Sequence, residues 1–174
     1  MPVAININAD NASARPIRAL WDEVGQLEQS PSLAGLNYPP HLTLAIYDQI
    51  DEAEAADAVA TVFAAEPPYH LRFSAIRWFE NDPLVLWAAP EASERLMQVH
   101  AALHAIIDPS LCRPYYRPGI WEPHCSLGTA VPTQRRDEAF AFTQRSITPF
   151  EVRFDVADVV RFLPVEVVLA VRLG

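Results

Sequence analysis

The chain contains no lysine. All thirteen basic side chains are arginines, set against twenty-two carboxylates for a net charge of −9. A domain that grips long duplexes does so through a basic field, because phosphate neutralisation and counterion release drive the binding. An acidic chain repels such a partner, so any anion it binds is small or held at one site. Cysteine is almost as scarce. Cys112 and Cys125 are the only two, they lack the close spacing of a zinc pair, and without a secretion signal they are expected as reduced thiols rather than a disulfide. No stretch approaches the ~18 uninterrupted apolar residues of a membrane span. The opening "MPVAININADN" has neither a basic n-region nor an apolar h-region. The expectation is a cytoplasmic protein with no membrane partner.

What is present is an ordinary globular composition: 51% of residues are apolar and 20% charged, and the chain is long enough to bury a core. "VAININA" alternates apolar and polar residues as a strand does. Residues 13–29 place Ile17, Leu20, Trp21, Val24 and Leu27 at helical spacing, with Ser13 positioned to cap and a proline near the first turn. A Pro/Ser/Gly-rich turn leads into the strand "HLTLAIY". The alanine-rich stretch 51–66 reads as a helix with an acidic first turn. "PPYHLRFSAIRWF" and "DPLVLWAAP" read as two strands joined at "ENDP", and "EASERLMQVHAALHAII" as an amphipathic helix. An irregular segment, 108–123, precedes a second strand at 124–128. The helix "TQRRDEAFAFTQ" and the strands "FEVRFDVADVVRF" and "VEVVLAVRL" complete the chain.

Two stretches repeat. "YPPHLTLAIYD" and "WEPHCSLGTAV" both read aromatic, any residue, proline, histidine, any residue, hydroxyl, leucine, small residue, at an offset of 83 positions. Downstream, "PYHLRFSAIRWFENDP" (68–83) aligns with "PFEVRFDVADVVRFLP" (149–164) at an offset of 81. The order strand, helix, motif strand, helix, strand also occurs twice, followed by a closing strand. Such self-similarity is a fold-level signal. It predicts an α+β fold, one domain over 1–174, built as a bilobal pseudo-two-fold duplication. Each lobe is expected to be an antiparallel-type sheet with outer helices, contributing one motif strand (41–47 and 124–128) to a central groove.

Strand alternation sorts the motif. Side chains at i and i+2 share a face, so His41 projects with Thr43 and His124 with Ser126. Leu42, Leu44 and Ile46, and in the other copy Cys125 and Leu127, are expected to face the core. Each copy thus offers an imidazole beside a hydroxyl. Histidine is suited to serve as base in one copy and acid in the other near neutral pH. The hydroxyls can donate to non-bridging phosphoryl oxygens. In-line displacement at phosphorus needs a base on the attacking oxygen, an acid on the leaving one and donors between them. Two His-x-hydroxyl strands supply that set without a metal or other cofactor.

The paired motifs "HLTL" and "HCSL", about eighty residues apart, resemble the two-histidine (2H) phosphoesterase superfamily, especially its bacterial 2'-5' RNA ligase-like branch. The resemblance implies a bilobal fold with a central groove. It also implies metal-independent phosphodiesterase chemistry on 2',3'-cyclic phosphates or 2'-5' linkages of small nucleotides or RNA 3' ends, with ligation as the reverse reaction. It places the catalytic histidines at His41 and His124 and the phosphate-binding hydroxyls at Thr43 and Ser126. The acidic, lysine-free composition departs from RNA-handling relatives and argues against ligation and long RNA. Two other classes remain to be weighed. A nucleotide or RNA-end binding module without turnover would keep the groove, but both motifs are intact. An acyl hydrolase using Ser126 or Cys125 lacks the nucleophile elbow G-x-S-x-G.

Outside the motifs, "RPYYRPGIW" (113–121) combines arginine with aromatics, a composition that can stack a base and hold a phosphate. Arg117, Tyr116 and Trp121 are therefore candidate substrate contacts, against the alternative that the rings cap the core. His100 and His104 have i, i+4 spacing but no third ligand, so they are expected at the helix surface or groove rim. His70 is expected on a solvated edge. Arg72 and Arg153 either flank the groove or face water. Trp78, Trp87, Phe140 and Phe142 are expected in the core, with Arg135 and Arg136 on a solvated face.

Overall fold

The computed structural model describes residues 1–162 and 164–174; Leu163, inside the repeat-aligned stretch 149–164, lies outside the described residues. Seven strands and four helices follow in the order β1 (Val3–Ala9), α1 (Arg15–Gly25), β2 (His41–Tyr47), α2 (Glu52–Phe63), β3 (Tyr69–Phe79), β4 (Leu84–Pro90), α3 (Glu94–Ile106), β5 (Cys125–Val131), α4 (Arg136–Thr143), β6 (Phe150–Arg161) and β7 (Glu166–Arg172). The helices start where the sequence supplies acceptors for their first N–H groups. Asp51 accepts from Ala53 N, and Ser93 from Leu96 N. Ser13 does not cap α1. Asp10 takes the Ala12 and Ser13 N–H groups instead, and the Ser13 hydroxyl bonds the Asp10 carboxylate.

All pairings are antiparallel, in the strand order β1-β2-β5-β4-β3-β6-β7, with β1 also pairing β6. The duplication is visible in the register. Leu42 pairs with Cys125, its own counterpart at an offset of 83, and Leu71 pairs with Val152, its counterpart at 81. Residues that pair with their own repeat equivalents lie on the pseudo-two-fold, so the axis passes between the two motif strands and again between β3 and β6. The antiparallel pairing and the outer helices are as expected, but the strands form one seven-stranded sheet that the two repeats share rather than divide. The third strand of each repeat crosses to the other half: β3 lies beside β4, and β6 beside β1. Neither repeat closes its sheet alone.

The core lies between the sheet and the helices. Ile5, Ile7, Leu42, Leu44, Phe73 and Phe154 are fully buried, along with Ile17, Val24, Val59 and Leu103 from the helices, each side chain contributing roughly 1.5–3 kcal/mol. α1 packs against β5, where Gly128 admits the helix: a Cβ at Gly128 would stand 2.5 Å from Val24 Cγ1 and 2.9 Å from Glu28 Oε1. Asn6 and Asn8, the polar face of β1, are buried in a side-chain network. Two expectations are corrected. Phe140 is half exposed, packed beside Trp78 on the short α4, which buries only Ala139. His100 and His104 are buried, not at the surface; the His100 ring stacks on Trp121 with centroids 4.1 Å apart.

Candidate active site

The four motif side chains meet on one face. Antiparallel pairing of Leu42 with Cys125 sets His41 opposite Ser126 and Thr43 opposite His124. Cross-strand neighbours stand about 5 Å apart at Cβ. Each imidazole therefore has the other repeat's hydroxyl across from it and its own two residues along. All four side chains are partly exposed, whereas Leu42, Leu44, Cys125 and Leu127 between them are buried.

Both strands break their ladder at the same place. Thr43 pairs with Asn6 but Ala45 with Ile5, and Ser126 pairs with Trp87 but Gly128 with Leu86. Leu44 and Leu127, at an offset of 83, are thus extra residues, a β-bulge in each motif. The bulge reverses the alternation beyond it. Ile46, expected in the core, lines the groove instead, and so does its repeat counterpart Thr129, while Tyr47 turns inward. The backbone is braced by two indoles. Trp21 Nε1–H donates to the Ser126 carbonyl at 2.9 Å, and Trp121 Nε1–H to the Thr43 carbonyl at 3.0 Å.

The imidazoles are oriented alike. His41 Nδ1 lies 2.9 Å from the Pro39 carbonyl and His124 Nδ1 lies 2.7 Å from the Glu122 carbonyl, two residues back in each case. A carbonyl only accepts, so each Nδ1 carries the proton and each Nε2 is left with its lone pair. Burial moves both imidazoles below the usual histidine range. For His41 this is opposed by the Pro39 hydrogen bond and the Asp158 carboxylate. For His124 the Glu122 hydrogen bond opposes it while the charge of His41 adds to it.

The surroundings of the two rings differ. Tyr38 meets His41 edge-on with centroids 4.8 Å apart. Its hydroxyl donates to Asp158, whose oxygens also accept from the Asn6 and Asn8 side-chain amides. His124 sits among Phe79, Trp87 and Tyr116, at centroid distances of 5.0, 5.7 and 6.3 Å. The hydroxyls differ as well. Thr43 Oγ1 donates to Asn6 Oδ1 at 2.8 Å, whereas Ser126 Oγ has no hydrogen-bond partner among the described residues.

Two cavities of about 420 and 430 Å3 flank the motif strands and share Ser126 and Thr129, so they form one groove. The His41 half is walled by Leu33, Leu36, Tyr38, Ile46, Val160 and Phe162, and the His124 half by Phe79, Val85, Tyr115, Tyr116 and Ile120. A depression of about 530 Å3 around Asp10, Arg18, Asp155 and Arg172 is larger, but it contains neither histidine. Of the candidate contacts in 113–121, Tyr116 lines the groove and Tyr115 and Ile120 stand exposed at its edge. Arg117 does not enter it: the guanidinium donates to the Cys112 and Ser110 carbonyls and pins the loop. Trp121 is buried beneath the motif strand. His70, Arg72 and Arg153 lie away from the groove, His70 hydrogen-bonded to Glu151 and the two arginines in ion pairs with Glu91 and Asp155. Sequence reasoning missed the network of Asn6, Asn8, Tyr38 and Asp158. Its available signal was two asparagines inside an otherwise apolar first strand.

Arranged in this way, the four groups can remove a proton from one oxygen of a tetrahedral centre, deliver one to another, and hydrogen-bond the oxygens between. Among the described residues no three His, Cys, Asp or Glu side chains gather as a metal-binding cluster. No curated protein sequence matches the chain. Solved structures share its fold. Escherichia coli LigT complexed with 3'-AMP is similar at 16% identity and TM-score 0.63, over 100% of this chain and 99% of that one. TT0787 of Thermus thermophilus is similar at 18% and 0.62 over 99% and 98%. Kluyveromyces marxianus Usb1 is similar at 13% and 0.53 over 99% and 98%. The sequence model of the 2'-5' RNA ligase superfamily matches residues 12–165, and with the doubled His-x-hydroxyl strands this places the chain in that superfamily of two-histidine phosphoesterases.

Proposed function

We propose that the protein is a two-histidine phosphodiesterase that opens 2',3'-cyclic phosphates, or cleaves 2'-5' linkages, on small nucleotides or RNA 3' ends. The observation that carries this reading is the shared orientation of the imidazoles. Each Nδ1–H is spent on a carbonyl two residues back, so both Nε2 atoms remain for proton transfer. Phosphorus sits between them. One Nε2 accepts the proton of the attacking water or hydroxyl as the new P–O bond forms. The other gives its proton to the leaving oxygen as the old P–O bond breaks. Ser126 and Thr43 donate to the non-bridging oxygens, where charge develops. The aromatic wall of Phe79, Tyr115 and Tyr116 offers a stacking surface for a base, and the structures of LigT with 3'-AMP, ATP and NADP+ show nucleotides bound to that protein.

The test is incubation of the purified chain, in EDTA, with 2',3'-cyclic mononucleotides, a cyclic-phosphate-ended oligonucleotide and 2'-5' dinucleotides, with products resolved by chromatography. Phosphomonoester release from at least one class is the expected result. Hydrolysis of none, with binding retained, would move the assignment to a binding module.

A further inference from the structure

We infer that the two histidines are not interchangeable: the Asp158 carboxylate behind His41 makes His41 the proton donor in hydrolysis, leaves His124 the proton acceptor, and is the positioning residue that sets this polarity. The inference rests on the two-histidine reading above and goes beyond it by breaking its symmetry.

The duplication allows the two surroundings to be compared position by position. At an offset of 83, His41 corresponds to His124 and Tyr38 to Trp121. At an offset of 81, Asn6 corresponds to Trp87, Asn8 to Ala89 and Asp158 to Arg77. The register agrees. Asn6 pairs with Thr43 as Trp87 pairs with Ser126, and Asp158 pairs with Asn6 as Arg77 pairs with Trp87. The same place in the fold therefore holds a buried acid on one side and a base on the other.

Asp158 is 2% exposed and receives three donors: Asn8 Nδ2 at 2.6 Å, Tyr38 Oη at 2.7 Å and Asn6 Nδ2 at 3.1 Å. Two of the three are amide N–H groups, which only donate, and the Tyr38 hydroxyl donates as well, a setting that supports a carboxylate. Burial pushes the Asp158 carboxyl above the usual carboxylate range, and these donors and the charge of His41 oppose it. The groups facing His41 are Asp158 from β6, Tyr38 from the preceding loop and His124, the residue just before β5. A buried anion favours the imidazolium there. The groups facing His124 are Glu122, Tyr116 and His41. Glu122 is exposed and already paired with Arg77 at 2.9 Å, so its charge is largely matched. Three aromatic rings complete that environment and favour the neutral ring. In hydrolysis, the water proton passes to His124 Nε2 as oxygen bonds phosphorus. The leaving oxygen takes its proton from His41 Nε2, and solvent restores both rings.

The test is a pH titration of the imidazoles by NMR in the full-length labelled protein, with resonances assigned through His41→Ala and His124→Ala. The expected result is a higher midpoint for His41 than for His124. In Asp158→Asn, the His41 midpoint should fall by about one pH unit while His124 stays in place. The high-pH limb of the kcat/KM profile should shift with it. A higher midpoint for His124, equal midpoints, or an unmoved His41 in Asp158→Asn would overturn the inference. Should Asp158→Asn fail to fold, the order of the wild-type midpoints decides the matter. The titration needs no turnover. Failure to hydrolyse any diester would remove the proposed function while leaving the order of protonation as measured.

Discussion

At the residue scale, the two hydroxyls of the site are chemically alike but differently engaged. The Thr43 hydroxyl is spent on Asn6 Oδ1, and Asn6 is buried. To grip a phosphoryl oxygen, Thr43 must turn its proton away from that acceptor. Ser126 carries no such tie. Thr43→Val should therefore strand the Asn6 carbonyl and cost about 1–3 kcal/mol of folding stability, because a buried acceptor loses its donor. Ser126→Ala should leave stability nearly unchanged while lowering kcat/KM on the order of 10²-fold, the usual cost of losing one donor to a developing oxyanion. Urea melts and steady-state rates on the same preparations separate the two effects. Equal stability losses in both variants would show that the Thr43–Asn6 bond has no structural role. The four motif residues were legible because strand alternation and the 83-residue repeat fix their shared face. The Asn6–Asp158 network was not, because its partners are contributed by the first and sixth strands, far apart in sequence.

At the scale of elements, the two bulges determine what the groove is made of. Alternation beyond Thr43 predicts a core-facing Ile46, and it fails because no composition signal marks Leu44 as an extra residue. The reversal brings Ile46 and Thr129 to the groove, and Trp21 and Trp121 satisfy the carbonyls on which the bulges stand. Gly128, just past the second bulge, is where Val24 of α1 packs against β5. Gly128→Ala should cost about 1–3 kcal/mol, because the buried, β-branched Val24 cannot rotate away and Glu28 is held by Ser32 and Ala130. The repeat counterpart Ala45 already carries the methyl group, so Ala45→Gly serves as the control for a glycine effect alone. A melting temperature unchanged in Gly128→Ala would contradict this packing. Helix and strand order could be read from periodicity throughout. The crossing of β3 and β6 between halves could not, since crossed and uncrossed lobes are built from the same elements in the same order.

At the scale of the whole molecule, charge restricts what the groove can accept. Among the described residues no arginine lines either half, and most arginines pair with carboxylates elsewhere, as Arg113 does with Asp48 and Arg136 with Glu80. With a net charge of −9, each additional phosphate on a substrate meets repulsion without a local cation to offset it. A 2',3'-cyclic mononucleotide should be preferred in kcat/KM over a cyclic-phosphate-ended oligonucleotide by about tenfold at low salt. The preference should narrow toward about 0.2 M salt as screening sets in. An oligonucleotide preferred at low salt would contradict the argument.

On the function proposed above, the duplication accounts for the doubled His-x-hydroxyl strand: displacement at phosphorus requires an acid and a base on opposite sides, and a pseudo-two-fold between β2 and β5 would supply them. The most direct measurement of that claim is cyclic phosphate hydrolysis by the wild type, His41→Ala, His124→Ala and the double variant, each checked for a native melting temperature. Each single substitution should lower the rate on the order of 10²–10⁴-fold, and the double variant should lose little more, because the pair acts as a unit. Near-full turnover in either folded single variant would contradict the account.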